Sequence, residues 1–456
     1  MSVSKIPLKS VLERQLSLIQ LTWPTFVTHL KSGNWSAILY FQRKLLGKVF
    51  NLLISPLGLF LVFLIRLIRP WLLIRISILV SERIGHFAGN TELYLCERDA
   101  GINLPGRRHI DLWYHNWPIC NKQLALMWNR VLHVGPRWLL GAVYKINALI
   151  PGGDIHQIPD NTQIDIDIHN FMDKFPPHLN FLTEEEERGQ ASLRELGIPE
   201  GAPFVCLIVR DSSYLKKSLP WKSWYYHNYR DCDIQNYIQA AQKLAESGYY
   251  VIRMGAVVSE AINVSNPLII DYAFNGTRTD FMDIYLAEKC AFCIVGNSGF
   301  EAVPRIFRRP IVYVDHVPFN MINIDSDRFI STSKKHWLRD ENRFMTFKEI
   351  FESGAGIFWH SSEYEAMGID LVESTPEEIT AIVLEMKERV EGTWETSEEN
   401  EELQHQFWKL FPKTEYHGEI RSRIGADFLL QQKEFFSHHD KYQCILHSQN
   451  NLYQEH

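Results

Sequence analysis

Short apolar runs alternate with amphipathic ones between Pro203 and Val317, and this alternation is the clearest pattern in the chain. Pro203–Val209 (PFVCLIV) reads as a buried strand that stops at Arg210. Ile234, Tyr237, Ile238, Ala241 and Leu244 then fall at the spacing that lines one helix face, with Asp233 as N-cap and Gly248 as the stop. A strand over Tyr249–Ile252 leads into Arg253-Met254-Gly255. Further strands are predicted at Leu268–Ile270, Ala291–Val295 and Pro310–Val314, separated by a helix over Asp280–Lys289 and a short one after Ser298. Pro304 comes too early for that last helix to be long. Strand and helix alternating in this way predict a parallel sheet covered by helices, because parallel strands need crossover connections.

Upstream, Ile74, Ile76 and Ile78 alternate with Arg75 and Ser77, a period-two strand that runs into a Gly-containing loop over Ser81–Glu92. His109–His115 reads as a second strand, and helices are expected over Lys122–Leu132 and Trp138–Ile150. Thr183 with Glu186 predicts a capping box, and Thr375 with Glu378 a second one that opens a helix over Pro376–Val390. Ile198–Ala202 is a natural hinge, and beyond Glu391 the chain is polar and helix-prone. At 456 residues it exceeds one hydrophobic core. The expected plan is α/β: two Rossmann-like domains over 71–198 and 199–372, an N-terminal membrane-associated helical segment over 1–70, and a helical extension over 373–456.

The N-terminal segment contains Val49–Ile65, which has 17 residues and no charge. As a helix it would reach roughly 25 Å, short of a hydrocarbon core of about 30 Å. Pro56 and Gly58 interrupt it and basic residues flank both ends, so the expectation is a broken, re-entrant helix dipping into one leaflet; a buried core helix is the alternative. The net charge of -7 hides an asymmetry, for residues 1–85 carry eleven Lys/Arg against Glu13 and Glu82. A basic, apolar leader on an acidic body points to an anionic membrane surface as partner and away from nucleic acid. The seven cysteines show no disulfide framework, and the Cys290/Cys293 pair enters a predicted buried strand, where core packing explains it.

In open parallel sheets ligands bind outside the carboxyl ends of the strands. Arg210, Arg253, Gly255 and the Gly296-Asn297-Ser298-Gly299 turn all fall there, and Arg230 and His227 come from an aromatic loop with Trp221, Trp224, Tyr225 and Tyr226. Cations and free helix N-termini on one edge describe a site for a phosphate or diphosphate. Such an anion is held by a metal, by fixed cations or by backbone N–H groups. Asp-x-Asp triplets occur at Asp165/Asp167, Asp231/Asp233 and Asp325/Asp327, but they arise easily by chance. The arginines and the Ser298 and Gly299 N–H groups are favoured, so no metal and no cofactor are expected. For a general base, His86, Glu92 and Asp111 lie near the head of the first domain. Against these stand plain alternatives: surface salt bridges for each arginine, a solvated loop histidine for His86, and interdomain packing for the aromatic loop. A hydrolase elbow at Ser298 is disfavoured, since that pattern needs Gly where Phe300 stands.

Several blocks together resemble an uncharacterised bacterial family described as glycosyltransferases: Arg83-Ile-Gly-His86, Tyr229-Arg-Asp231, Tyr249–Gly255, Ile270-Asp-Tyr272, Asp280–Leu286, Thr375–Ile379 and Arg423–Leu429. More distantly the chain is similar to GT-B heptosyltransferases and fucosyltransferases. The resemblance implies a GT-B-like fold whose second domain holds a nucleotide sugar and whose first presents a glycan or glycolipid acceptor. It also implies a role in cell-surface polysaccharide synthesis, while the basic, apolar N-terminal segment sets the expected location at the cytoplasmic face of the inner membrane, peripheral or monotopic. A pyruvyl or other transferase on lipid-linked sugars, or a non-catalytic membrane scaffold, would be the alternatives.

Overall fold

The structure is a computed structural model, and it describes residues 54–159, 166–213, 224–414, 417–433 and 436. In chain order its principal elements begin with β1 (Leu73–Leu79), α1 (Ile84–Asp99), β2 (His109–His115), α2 (Lys122–Val131), α3 (Arg137–Ala148) and α4 (Thr183–Glu195). Next come β3 (Phe204–Val209), α5 (Ile238–Glu246), β4 (Tyr250–Arg253), β5 (Ile269–Ile270), α6 (Asp280–Lys289), β6 (Cys293–Gly296), α7 (Ala302–Ile306), β7 (Ile311–Val314) and β8 (Phe329–Ser331). The last are β9 (Lys335–Leu338), β10 (Arg343–Phe344), β11 (Ile369–Val372), α8 (Pro376–Glu391), α9 (Glu398–Leu410), β12 (Arg423–Ile424) and α10 (Ala426–Gln431).

These residues fall into two compact units. One takes the chain up to Val80 together with Asn103–Ile119 and Leu132–Asp160; the other takes Ser81–Ile102, Cys120–Val131 and everything from Asn161. The first unit has a pair of parallel strands, β1 and β2, aligned from Leu73↔His109 to Leu79↔His115, and single parallel bridges at Gln157 and Val134 extend it on either side. Its core joins Ile76 and Tyr114 to Leu140 and Val143 of α3 and to Val62 and Ile65. Those last two belong to a helix over residues 54–68 that continues through Pro56 and Gly58, where a break was expected. Gly58 serves packing: a methyl group there would sit 2.7 Å from the Ile146 side chain of α3. Residues 1–53 of the expected membrane-associated segment lie outside the described residues. No helix among the described residues is long and apolar enough to cross a membrane.

The second unit is built on a seven-stranded, all-parallel sheet of order β12-β8-β7-β6-β3-β4-β5. Strand β3 reads FVCLIV and is buried almost throughout, as a strand covered on both faces requires. On one face, Ala240, Ala241 and Leu244 of α5 meet Ile379, Ile382, Val383 and Met386 of α8 against the sheet. Phe281, Met282, Tyr285 and Leu286 of α6 cover the other, where Cys206, Cys290 and Cys293 are wholly buried. Helix α8 therefore belongs to this core, although it lies in the stretch after 373 expected as an extension. A small antiparallel sheet, β10-β9-β11, flanks the unit.

The termini of the helices follow local chemistry. Asp233 accepts a hydrogen bond from the Gln235 N–H at 2.9 Å, and Gly248 takes φ +87°, the left-handed stop. The Thr375–Glu378 box forms in both directions, at 2.8 and 3.3 Å. The expected box at Thr183 does not: Leu182 is the N-cap, and Glu185 reaches back to its N–H at 2.9 Å while also holding Arg130.

Candidate functional site

The order of the large sheet reverses at β3, whose neighbours are β4 on one side and β6 on the other. This is the topological switch point, where the loops after adjacent strands part and leave a crevice. The loops after β3 and β6 are tied together there, with the Arg210 N–H on the Gly296 carbonyl at 3.0 Å. Four predicted residues meet at this edge: Arg210, Arg230, His227 and Asn297. The Arg230 guanidinium donates to the Asn297 carbonyl at 3.0 Å, and Arg210 pairs with Asp231 at 3.3 Å.

The electrostatics of this cluster are its most telling property. Burial first, then Arg210, Arg230, Arg83 and His360, push the His227 pKa down to about 4. Burial and the Arg230 charge likewise lower the pKa of Arg210. Like charges gathered in a partly buried place oppose one another, and Asp231 beside Arg210 offsets them only in part. Two polar atoms here, His227 Nδ1 and Arg230 Nε, are buried and have no partner among the described residues. The Trp224, Tyr226 and His227 rings stack beside the cluster, and Tyr226 lies 5.4 Å from the exposed His360 ring. Trp221 lies outside the described residues.

Arg83 and His360 were not read from the sequence as site residues. Arg83 is the extended N-cap of α1 and has no side-chain cap of its own. The first turn of any helix leaves N–H groups without intrahelical partners, and the dipole there favours negative charge. That turn abuts the loop after β6, because a Cβ on Gly85 would stand 2.8 Å from the Gly299 carbonyl oxygen. Replacing Gly85 by alanine would ordinarily help a helix by up to about 1 kcal/mol. Here the clash with backbone should instead cost about 1–3 kcal/mol. A lowered unfolding midpoint with weakened anion binding is expected, and a stabilised Gly85→Ala protein would contradict the close approach.

The remaining expectations are redistributed. Ser298 accepts the Phe300 N–H, and the Ser298 and Gly299 N–H groups have no acceptor among the described residues. Ser298 has an ordinary extended backbone, φ -96°, unlike a strained nucleophile elbow. The Asn297 side chain is buried and bonds the Asp315 carbonyl at 2.5 Å and the Val317 N–H at 3.0 Å, so it braces the turn and does not face a ligand. Arg253, expected as a ligand cation, is 3% exposed and donates to the Glu260 carbonyl at 2.6 Å and to Asp271 at 3.3 Å. It pins the loop after β4, in which Gly255 packs on Val258, and that loop in turn bonds Asp211 through Ser259 at 2.9 Å. Asp111 is locked to Arg75, with Nε to Oδ1 at 2.7 Å. Glu92, expected as a base, is 0% exposed and bonds Arg308 at 2.6 Å and His178 at 3.1 Å. These bonds place Glu92 as an anchor of α1. His86 follows Gly85, half-buried beside the turn after β6.

Two groups among the described residues have donor types that suit a metal, Glu92/Cys96/His178 and Cys232/Asp315/Glu373. Each already has a cation beside it: Arg308 on Glu92, and Lys334 at 3.4 Å from Glu373. Of the acidic triplets, Asp231 pairs with Arg210, Asp233 caps its helix, Asp325 holds Arg305 at 2.8 Å and Asp327 holds Arg421 at 3.2 Å. Asp167 bonds the Met172 N–H at 2.7 Å, and Asp165 lies outside the described residues.

No known family model matches the chain, and no curated protein is significantly similar to it. Solved structures give distant likenesses. The Escherichia coli ADP-heptose lipopolysaccharide heptosyltransferase II is 16% identical with a TM-score of 0.34, over 54% of this chain and 86% of that one. A glycosyl transferase family 9 protein from Veillonella parvula is 12% identical with a TM-score of 0.36, over 62% and 89%. An E. coli heptosyltransferase solved with ADP-2-deoxy-2-fluoro heptose is 11% identical with a TM-score of 0.26, over 57% and 93%. Two of these neighbours are heptosyltransferases, the kind that the sequence distantly resembles.

Proposed function

We propose that the protein is a glycosyltransferase of the GT-B kind that moves a sugar from a nucleoside-diphosphate donor to a glycan or glycolipid acceptor without a metal. The observation that carries this reading is the meeting of Arg210, Arg230 and His227 at the switch point of the parallel sheet, where the first turn of α1 abuts the loop after β6. Sugar transfer leaves a diphosphate on which negative charge grows as the glycosidic bond breaks. Fixed guanidinium groups aimed at that charge act where it develops and need no reorganisation during the reaction. The arginines offset the leaving diphosphate directly, and the α1 N-terminus and the Ser298 and Gly299 N–H groups complete its cradle. The half-buried Tyr226 ring and the exposed His360 ring, 5.4 Å apart, offer faces for the donor's base.

Deprotonation of the acceptor hydroxyl needs a base that titrates near neutral pH. His227, at about 4, is a poor choice. His86, one residue after the glycine that closely approaches Gly299, is the candidate by position.

Calorimetry with UDP-, GDP-, ADP- and CMP-linked sugars in EDTA tests the reading. One diphosphate donor is expected to bind at micromolar concentration and to turn over with a suitable acceptor. If none binds, the assignment fails, and if binding needs a divalent cation, the metal-free part of it fails. Binding without sugar release would favour transfer of another group.

A further inference from the structure

We infer that the outer side of the helix over residues 54–68 is a docking surface for an anionic lipid bilayer, with the helix lying in the membrane plane. The helix is apolar on both sides. Gly58, Val62 and Ile65 face the core of the first unit, at helical spacing. Leu57, Phe60, Leu64 and Leu67 repeat at three and four residues along the other side, joined by Phe63, with Trp71 in the turn that follows, and all are exposed. Phe60, Phe63 and Trp71 are 60, 65 and 75% exposed. A helix apolar all round is normally buried on every side, and contiguous apolar patches of this kind mark an interaction surface. Arg66 ties the helix to the end of α3 through hydrogen bonds to the Ile150 and Pro151 carbonyls at 3.1 and 2.9 Å.

Charge selects the occupant. In the described part of this unit Arg66, Arg69, Arg75, Arg107, Arg108, Arg137 and Lys145 stand against Asp111 and Asp154, an excess of five positive charges in a chain of net charge -7. Exposed Lys145 lies on α3, the helix that packs against Gly58. A second copy would bring the same positive face and repel it. An anionic headgroup layer attracts basic residues, takes tryptophan at its boundary and accepts an apolar helix face below it. One side of the helix is packed on the core of the unit while the other is exposed along its described length, so the exposed side meets the bilayer with the helix lying flat.

The test is sedimentation of the full chain with phosphatidylglycerol-rich and with pure phosphatidylcholine vesicles, beside light scattering of both proteins in buffer. The triple substitution Phe60→Ser, Phe63→Ser, Trp71→Ser touches exposed side chains only, so its thermal midpoint should match the parent's. The parent should bind the anionic vesicles and lose much of that binding at about 0.5 M salt. The variant should bind them at least tenfold more weakly. Failure of the parent to bind, or equal binding by the variant, would overturn the inference. So would a parent dimer that the variant abolishes while neither protein binds lipid, which would mark a self-association face.

Discussion

Replacing Arg230 by alanine should raise the dissociation constant for the diphosphate donor about a hundredfold while leaving the free protein as stable as before. Its guanidinium makes one hydrogen bond to a carbonyl, at Asn297, and leaves Nε buried without a partner among the described residues. Two charge-assisted bonds to a bound diphosphate are together worth about 3 kcal/mol. At about 1.4 kcal/mol per decade this is the stated hundredfold. Without ligand the same group opposes Arg210 and the protonated form of His227. Its removal therefore relieves repulsion as it removes one modest hydrogen bond, and the unfolding midpoint should move little. Arg230→Lys, a point charge without the planar fork, should recover only part of the affinity. Titration calorimetry against thermal unfolding reads both quantities. Unchanged affinity in Arg230→Ala would take the arginine out of the site, and a large loss of stability would make it a structural residue.

How much of this was legible follows from the range over which each signal acts. Strand β3 announced itself because a strand covered on both faces must be apolar at every position. Asp233 and Gly248 marked a helix because a cap bonds within a few residues of itself. Thr183 misled for the same reason in reverse: threonine and leucine compete for one boundary, and the Glu185 bond to the Leu182 N–H, reinforced by Arg130, decided for leucine. The cations at the strand ends were also readable. What could not be read was which arginine has a carboxylate of its own. Arg253 meets Asp271 and Arg210 meets Asp231, yet only the first is wholly enclosed, since Ile262 and Glu260 close over it as well. Arg83 was hidden because its charge acts on His227 from α1, far along the chain from Arg210 and Arg230, while the residue itself is exposed like any solvated arginine.

Glu92 poses the sharpest choice between catalysis and architecture. On α1 it lies fully buried, and its Oε1 accepts from Arg308 at 2.6 Å and from His178 at 3.1 Å, partners 216 and 86 residues away. Arg308 also donates to the Phe175 and Pro176 carbonyls at 3.1 Å, so one guanidinium fastens α1 to the segment before α4. Glu92→Ala leaves Arg308 without its carboxylate in a buried place. Breaking such a pair costs about 3–5 kcal/mol, enough to lower the unfolding midpoint by roughly 10 °C. Arg308→Ala should cost a similar amount, and the double variant less than the sum. The pH dependence has a definite sign. Burial alone would lower the His178 pKa, but Glu92 and Asp99 together raise it. The protonated histidine thus stabilises the fold fully below its unfolded pKa of about 6.5, and that stability fades as pH rises through the higher folded value. The parent should lose stability from pH 6 upward, and Glu92→Ala should lose most of that slope. Turnover per folded molecule at low temperature settles the alternative, since loss of a general base costs about 10²–10⁴ in rate. A Glu92→Gln protein that folds well yet fails to turn over would restore Glu92 to the chemistry, and one that turns over normally leaves it as the anchor of α1.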